Sequence, residues 1–520
     1  MTRDAADIGR GLAPARPTRA IAAGERIHVI GVGGAAASGA AILAAGAGAI
    51  VTGCDSSGPS PYADAVTRAG IVIAGGHAVG HVLGPDGPLV DRVAVTKALT
   101  SVDPDHPELE AARRAGVPLE PIQQVIADAA ATLAPRLIGV TGTHGKSTTT
   151  GWVLHQLVEA GRDPSGFVGA LLPTTLSGTG TPATARLGSG SEFVVEADEY
   201  AGNFDPYRPV IGAVVTVEWD HPDVFADEAA VVAVLESWIR RFEQARETAV
   251  LVANVGDRGV RRLVERLSDW PGRLTTVELV EGVIDAPRPP FATAIGPARQ
   301  LVARILSSDP GGADLLIGGI AQPGPMSARI DLSGDHMAAN GLVALGVALE
   351  VGVPPEQAVR SLATFGGVGR RLELKGDVGG VVVLDDYGHH PTAIEATLRA
   401  VRQRYPGRPI WAIYEPLTYH RTAAMLDSFA TALSTADHVA IVDIWAVRDL
   451  DTTTVSAADL AAATEAKGTA AVATGTPEQT AERLARLVAP GDVVLVMGGG
   501  RSYVVSERLV DALGRVGRGG

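Results

Sequence analysis

The segment Leu137–Thr150, with the sequence LIGVTGTHGKSTTT, constrains the fold more than any other part of the chain. It predicts a buried strand, a glycine-rich turn and a helix that opens with serine and threonine. Gly142 and Gly145 would let the backbone approach a ligand closely, and the helix N-terminus would hold phosphate oxygens. Lys146 would reach the β and γ phosphates, and the Ser147 hydroxyl would ligate Mg²⁺. A fortuitous glycine turn is the alternative, and the flanking strand and helix disfavour it.

Short β-branched runs followed by alanine-rich segments of helical length recur along the chain, for example IHVIGVGG before ASGAAILAAGAGA. Such alternation predicts an α/β fold with parallel sheets, whose ligand sites lie at the carboxyl ends of strands. At roughly 150 residues per domain, the chain length suggests about three domains. We predict domains over 23–132, 133–366 and 367–520, with the glycine-rich segment 364–376 as the hinge into the last.

Composition narrows the possible partners and the compartment. The 520 residues include 44 basic and 58 acidic side chains, which give a net charge of −14. This charge disfavours nucleic acid and anionic lipid, although nucleotides remain possible ligands. Cys54 is the only cysteine, which excludes an intrachain disulfide and a zinc site built from cysteines. We expect a protein of the reducing cytoplasm without a membrane partner.

Two parts of the chain carry little signal. Residues 1–22 mix acids and arginines without an apolar stretch, so we expect a flexible tail and no secretory signal. Residues 281–325 are rich in proline and glycine, and we expect only turns and a short helix there.

Polar clusters follow two strands after the glycine-rich turn. In EFVVEADEY, Glu196 and Asp198 share one face by the period of a strand. In AVVTVEWDHPDVF, another apolar strand is followed by Glu218, Asp220, His221 and Asp223. Each cluster alone fits a solvated loop or a helix cap. Beside a phosphate-binding turn, however, such oxygen ligands suit an enzyme that uses Mg²⁺ and ATP.

Two further motifs lie where strands or loops meet helices. In GDHMAAN, His336 and Asn340 are four residues apart at a predicted helix start and share a face. In VVVLDDYGHHPT, Asp386 and His389 follow a strand, and Pro391 suits the first turn of a helix. A polar helix terminus is the alternative for the first motif.

Six motifs, in their order along the chain, resemble those of the Mur ligase family: GTHGKSTTT, EADEY, EWDHPD, GDHMAAN, GVGRRLE and DDYGHHPT. The similarity spans positions 31 to 422 and is greatest to the branch that joins UDP-N-acetylmuramate to L-alanine. It implies a Rossmann-like N-terminal domain, a P-loop ATPase-like central domain and a Rossmann-like C-terminal domain. It also implies that a substrate carboxylate attacks the γ-phosphate of ATP, after which an amine displaces phosphate from the acyl phosphate.

The resemblance assigns roles to individual positions. The ATP site it implies comprises Gly142, Thr143, His144, Gly145, Lys146, Ser147, Thr148, His336, Asn340 and Arg371. The Mg²⁺ ligands it implies are Ser147, Glu196 and His221. The catalytic residues it implies are Lys146, Glu196, His221, Asp386 and His389. Arg370 resembles the partner of Arg371 in a basic pair that meets the nucleotide.

The first domain opens with a glycine loop that follows a strand. Its spacing is not that of a dinucleotide fingerprint and is similar to the Mur ligase loop that holds the diphosphate of a UDP-sugar. The loop residues are Gly31, Gly33, Gly34, Ser38 and Gly39. Asp55, at the end of the next strand, would contact ribose or uracil, or would simply form a turn.

Three stretches of the last domain, 415–422, 445–449 and 497–501, depart from the alanine-adding pattern. They lie in the domain that should select the amine, so they leave that substrate open. Arg421 and Arg448 could still clamp a carboxylate. The alternatives are a ligase that joins UDP-N-acetylmuramate to a recycled murein peptide, and a nucleotide-binding homologue without catalysis. The oligomeric state is not predicted.

Overall fold

Three β-sheets, each covered by helices, follow one another along the chain. The computed structural model describes residues 3, 5–56, 58, 60–243, 248–286, 288, 290–320, 324–449 and 451–516. The three sheets match the α/β architecture expected from the alternating sequence pattern.

The first sheet has five parallel strands in the order β3-β2-β1-β6-β7. The strands of this region are β1 (Arg26–Ile30), β2 (Ile50–Asp55), β3 (Val72–Gly75), β4 (Leu83–Gly84), β5 (Gly87–Pro88), β6 (Arg92–Val95) and β7 (Leu119–Pro121). The helices are α1 (Ala5–Ile8), α2 (Ala35–Gly46), α3 (Ala63–Arg68), α4 (Lys97–Val102), α5 (Pro107–Ala115) and α6 (Ile122–Leu133), with a 3₁₀ turn at Val79–His81. Strands β4 and β5 form a separate short hairpin.

The central sheet has ten strands in the order β10-β9-β11-β8-β12-β13-β14-β17-β18-β19. The strands are β8 (Arg136–Thr141), β9 (Ser165–Leu172), β10 (Ala183–Arg186), β11 (Glu192–Glu196), β12 (Ile211–Val214), β13 (Val250–Asn254), β14 (Arg273–Leu279), β15 (Ala292–Thr293), β16 (Gly296–Pro297), β17 (Arg299–Asp309), β18 (Gly312–Gly318) and β19 (Met326–Ile330). The helices are α7 (Lys146–Glu159), α8 (Thr174–Ser177), α9 (Glu228–Ile239), α10 (Arg258–Glu265), α11 (Asp335–Val351) and α12 (Pro355–Arg360), with a 3₁₀ turn at Tyr200–Gly202. The middle of the sheet is parallel, and β10, β18 and β19 pair antiparallel to their neighbours.

The last sheet has six strands in the order β20-β21-β25-β22-β23-β24, of which only β20 pairs antiparallel. The strands are β20 (Glu373–Val378), β21 (Val381–Asp386), β22 (Ile410–Glu415), β23 (His438–Val442), β24 (Ala471–Gly475) and β25 (Val493–Gly498). The helices are α13 (Pro391–Arg404), α14 (Tyr419–Ala424), α15 (Leu426–Leu433), α16 (Ala457–Glu465), α17 (Pro477–Leu487) and α18 (Tyr503–Val516).

The expectation of a short helix within 281–325 is wrong for the described residues of that stretch, which form strands β15 to β18 instead. The apolar run in β17 has neither a clear helical nor a clear strand period. Pairing decides its state, because β17 lies parallel to β14 and antiparallel to β18 and so extends the central sheet.

The segment expected to be a flexible tail contacts the first domain in the structure. Arg16 forms ion pairs of 2.7 Å with Glu120 and with Asp128, and Ile21 is buried in the core shared by the first two domains. Arg92 lies buried against the same two carboxylates at 2.7 and 2.6 Å. Glu120 and Asp128 therefore form ion pairs with both Arg92 and Arg16.

Helix α2 joins the first domain to the central one through small residues. A Cβ on Gly39 would lie 2.7 Å from the Phe167 ring, and the Ser38 hydroxyl lies 3.0 Å from that of Thr184. The absence of a side chain at Gly39 therefore lets the helix approach β9 and β10 closely.

Candidate active site

The turn between β8 and α7 has the backbone geometry of a phosphate-binding loop. Gly142 and Gly145 have φ values of 135° and 81°, where other residues are strained. The Thr143 amide donates to the Thr216 carbonyl at 2.9 Å, and the His144 amide donates to the Thr216 hydroxyl at 2.8 Å. The turn is thus fixed to the chain after β12. No side chain among the described residues caps α7, so its N-terminus is available to an anion.

Lys146 points back across this turn. Its Nζ donates to the Gly142 carbonyl at 2.6 Å and lies 3.0 Å from Glu199 Oε2. Burial opposes the charge, but Glu199 and the nearby acids raise the pKa of Lys146 to about 12. Lys146 is therefore a cation beside the turn, and a phosphate group can replace Glu199 as its anionic partner.

Ser147 and Glu196 lie together, as the predicted Mg²⁺ site requires. The Ser147 hydroxyl donates to Glu196 Oε1 at 3.1 Å, and Glu196 Oε2 accepts the Gly169 amide at 2.6 Å. Arg371 Nη2 donates to the same hydroxyl at 3.1 Å. Arg371 thus reaches the central domain from the start of the last one.

Arg370 does not share the position of Arg371. Its guanidinium is buried within the last domain, where it lies 3.3 Å from Asp385 and donates to the Gly498 carbonyl and the Ser502 hydroxyl. The expected basic pair is therefore divided between two roles, and only Arg371 lies at the phosphate-binding turn.

His221 lies among charges from two domains and adopts a left-handed backbone, with φ at 55°. Its Nδ1 accepts bonds of 3.0 and 3.1 Å from Arg421 and Arg448 of the last domain. Burial, reinforced by the two guanidinium groups, lowers the pKa of His221 to about 3. Burial alone would raise the pKa of Asp220, but Arg421 at 2.9 Å holds it well below its usual range.

The end of β21 and the turn that follows it place Asp386 and His389 near His221 and Arg421. Asp386 accepts the amides of Leu372 and Gly388 at 2.9 and 2.7 Å, so it fixes the hinge to the turn before α13. His389 Nδ1 lies 3.0 Å from the Tyr387 carbonyl. This contact places the ring proton on Nδ1 and leaves the lone pair on Nε2. Burial lowers the pKa of His389 well below its usual value, so the ring is neutral.

His336 and Asn340 lie on the first turns of α11, as the spacing predicts. A Cβ on Gly145 would lie 2.6 Å from Asn340 Oδ1, so Asn340 packs directly against the phosphate-binding turn. Burial lowers the pKa of His336 to about 4, which leaves a neutral ring.

The glycine loop of the first domain is ordered by a contact with the end of β2. Asp55 Oδ2 accepts the Gly33 amide at 2.9 Å, and Gly31 has a left-handed φ of 72°. Asp55 thus shapes the loop in this structure. Ser38 and Gly39 lie in α2, against the central domain, whereas Gly34 immediately precedes this helix.

One cavity of about 530 Å³ joins these elements. It is lined by residues of all three regions: the N-terminus of α2, the phosphate-binding turn, the acidic strand ends and the polar ends of the last domain. The predicted residues that line it are His144, Gly145, Lys146, Ser147, Thr148, Thr143, Glu196, His221, His336, Asn340, Arg371, Asp386, His389 and Arg421. Such a site can bind several anionic groups together.

Family models match three consecutive parts of the chain. Residues 26–133 match the Mur ligase family catalytic domain, 140–348 match the Mur ligase middle domain, and 370–500 match the glutamate ligase domain of Mur ligases. A UDP-N-acetylmuramate--L-alanine ligase of Mycobacterium avium (strain 104) is 36% identical over 506 residues, which cover 94% of this chain and 95% of the relative. The chain belongs to the Mur ligase family.

Solved Mur ligase structures share this fold. A UDP-N-acetylmuramate-alanine ligase of Thermotoga maritima has a TM-score of 0.73 at 21% identity, covering 95% of this chain and 100% of that one. A murein peptide ligase of Psychrobacter arcticus 273-4 has a TM-score of 0.70 at 23% identity, covering 94% and 99%. No helix in the described part of this Mur ligase has both the length and the apolar character needed to cross a membrane.

The motifs did not reveal every polar group in the Mur ligase cavity. Gln123 of α6 lines it, and its buried Oε1 has no hydrogen-bond partner among the described residues. Near the cavity, His420 bridges Asp223, at 3.0 Å, and Asp449. Burial opposes its charge, but these two acids raise the pKa of His420. Only the three-dimensional fold brings these positions together. The departure at 415–422 was the one sequence signal that pointed to His420.

Proposed function

We propose that this Mur ligase uses ATP to join the carboxylate of UDP-N-acetylmuramate to the amine of L-alanine through an acyl phosphate, in peptidoglycan precursor synthesis. The observation that carries the proposal is the single cavity in which the phosphate-binding turn meets the glycine-loop helix and three arginines of the last domain. The names of relatives about one-third identical over nearly the whole chain support the same reaction. A reducing cytoplasm, expected from the composition, suits an ATP-dependent reaction.

ATP would lie with its phosphates on the turn before α7. The free helix N-terminus and Lys146 would hold the β and γ phosphates, and Arg371 would approach them from the last domain. His336 and Asn340, on the adjoining helix, would contact the adenine. The anionic phosphates would take the place of Glu199 as the partner of Lys146.

Mg²⁺ fits the oxygen donors of the cavity. Ser147 and Glu196 lie within 3.1 Å of each other and would hold the ion, and Asp198 lines the same cavity. His221 fits less directly, because Arg421 and Arg448 occupy its Nδ1 lone pair. His221 would coordinate the ion only after these two arginines leave it and bind an anionic substrate group instead. When bound, Mg²⁺ would reduce the repulsion between the attacking carboxylate and the phosphates.

The two half-reactions place different demands on the protein. The substrate carboxylate is already anionic, so its attack on the γ-phosphate needs charge neutralisation by Lys146 rather than a general base. The amine arrives as an ammonium ion and must lose a proton before it attacks the acyl phosphate. His389 lines the cavity with its lone pair on Nε2. It would accept that proton once bound anions raise its pKa, which burial keeps low in this structure.

The carboxylate of the amino acid would bind Arg421. This side chain is fully buried and lines the cavity, yet its Nε and Nη1 have no hydrogen-bond partner among the described residues. Unpaired buried donors are costly. A carboxylate bound across Nη1 and Nη2 would satisfy Nη1 once Nη2 exchanges one of its present acceptors. Arg448, which also lines the cavity, would assist.

Phosphate release with MgATP and UDP-N-acetylmuramate tests the proposal. We expect release that depends on L-alanine, with glycine, L-serine and L-Ala-γ-D-Glu-meso-diaminopimelate as comparisons. Lys146→Ala should abolish release, whereas Lys467→Ala should not, because Lys467 pairs with Asp427 at the surface of the last domain. Release only with the tripeptide would assign the chain to murein peptide recycling. Nucleotide binding without release for any amine would favour a non-catalytic homologue.

A further inference from the structure

A second cluster of metal-ligating side chains lies in the first domain, outside the cavity described above. All four histidines of residues 23–132 and the only cysteine of the chain surround one buried carboxylate, that of Glu108. The side chains come from β1, β2, the segment that follows β3 and the start of α5. The cluster comprises His28, Cys54, His77, His81, His106 and Glu108.

Four of these side chains converge closely enough to share one ion. Cys54 Sγ lies 3.3 Å from His28 Nε2 and 3.3 Å from Glu108 Oε2. Glu108 Oε1 lies 2.5 Å from His81 Nδ1 and 3.7 Å from His28 Nε2. In a tetrahedral zinc site with ordinary bond lengths, the donor atoms are about 3.3–3.6 Å apart. Small side-chain shifts would therefore suffice to hold an ion.

The surroundings orient these donors and give access to them. His28 Nδ1 lies 2.8 Å from the Thr52 hydroxyl, so a proton on Nδ1 would leave Nε2 free to face Cys54 and Glu108. Cys54 and Glu108 are fully buried, whereas the His81 side chain is 24% exposed. An ion could thus enter past His81 and then be shielded from water.

We propose that His28, Cys54, His81 and Glu108 bind a divalent transition-metal ion of the zinc class. One thiolate and two imidazoles prefer such an ion to Mg²⁺, which favours oxygen donors. His77, whose Nδ1 lies 3.2 Å from Cys54 Sγ, flanks the site. The site is independent of the Mg²⁺ proposed for catalysis.

The ion would restrict the motion of the end of β2, which contacts the glycine loop. The Cys54 carbonyl accepts the amides of Gly31 and Val32 at 2.9 and 3.1 Å, and the next residue, Asp55, accepts the Gly33 amide. A metal bound to Cys54 would therefore restrict the loop through backbone contacts.

Metal analysis of the full-length protein tests the site. Protein stripped with a chelator would be loaded with Zn²⁺ in excess Mg²⁺, dialysed and measured for zinc per chain; a second sample would be loaded with Co²⁺ for absorption spectroscopy. We expect one equivalent of zinc and a near-ultraviolet thiolate-to-cobalt charge-transfer band. Cys54→Ser should remove the band, and His81→Ala should weaken zinc binding at least about tenfold.

Two controls separate this site from others. His438→Ala removes a histidine that stacks on Trp411 in the last domain, and Glu196→Gln removes a proposed catalytic oxygen ligand. Both should keep the zinc and the cobalt band. Substoichiometric zinc, or no thiolate band in the wild-type protein, would overturn the proposal and leave a hydrogen-bonded network. The wild-type cobalt spectrum decides this even if a variant fails to fold.

Discussion

Replacement of Arg421 by lysine tests the assignment of the amino-acid site. The variant keeps a positive charge near Asp220, which lies 2.9 Å from the guanidinium, so no buried acid is left without a cation. It removes the planar guanidinium, whose Nε and Nη1 have no partner among the described residues. The ion pair that stabilises the fold is thus largely retained, while the proposed contact with substrate is lost.

The expected loss follows from the number of hydrogen bonds removed. A lysine can make one of the two charge-assisted bonds to a carboxylate, and one such bond contributes about 1.5–3 kcal/mol. At about 1.4 kcal/mol per factor of ten, kcat/KM for L-alanine should fall roughly 10- to 150-fold. The affinities for ATP and UDP-N-acetylmuramate, measured by calorimetry, should change less than about threefold, because other residues than Arg421 are proposed to contact those substrates.

L-Alaninamide, which has no carboxylate, separates a lost contact from a general defect. The wild-type enzyme should discriminate strongly between L-alanine and the amide, and Arg421→Lys should lose most of that discrimination. Arg399→Lys, a change in an exposed pair with Glu395, is the matched control and should behave as wild type. If Arg421→Lys discriminated as well as the wild type, or if it mainly weakened nucleotide binding, the assignment would be refuted.

Three further perturbations test the phosphate-binding turn, a buried acid and the N-terminal segment. Gly145→Ala should weaken ATP binding at least about tenfold, because a Cβ would lie 2.6 Å from Asn340 Oδ1. Gly161 has a similar φ of 72° but open space around it, so the control Gly161→Ala should bind ATP normally. Equal losses of ATP affinity in the two variants would show that the contact with Asn340 is not the cause. Burial raises the pKa of Glu415 from 4.5 to about 7, so its ionisation destabilises the fold at higher pH. Glu415→Gln should therefore stabilise the protein by up to about 3 kcal/mol near pH 8.5 and much less near pH 5.5, and a pH-independent difference in melting temperature would count against this. Arg16→Ala should lower the melting temperature through loss of its two ion pairs, and an unchanged value would indicate that the segment contributes no stability.

Local patterns were sufficient to place the parts of the site that lie on one strand-turn-helix unit. The turn between β8 and α7, the helix start at His336 and the strand end at Asp386 follow from neighbouring residues, and the structure places each as predicted. Pairing and packing between distant segments could not be predicted in the same way. The strand β17 and the burial of Gly39 against Phe167 depend on partners far along the chain.

The bond between Lys146 and Glu199 illustrates the same limit within the site. A glycine-rich turn predicts that a lysine will face phosphate, but it does not predict which group holds that lysine before phosphate binds. The chain reversal after β11 supplies Glu199 at 3.0 Å. Likewise, the contacts of Arg421 and Arg448 with His221 depend on the position of the last domain against the central one.

Each cation that lines the cavity has an internal acceptor in this structure. Lys146 is held by Glu199, Arg371 by Ser147, and Arg421 by His221 and Asp220. A buried cation without a partner would be costly, so loss of these contacts without replacement would destabilise this arrangement of the domains. Anionic substrates must therefore replace these partners, although Nε and Nη1 of Arg421 have none among the described residues. Because the bonds of Arg371 and Arg421 also join the last domain to the central one, substrate binding and domain position should be coupled.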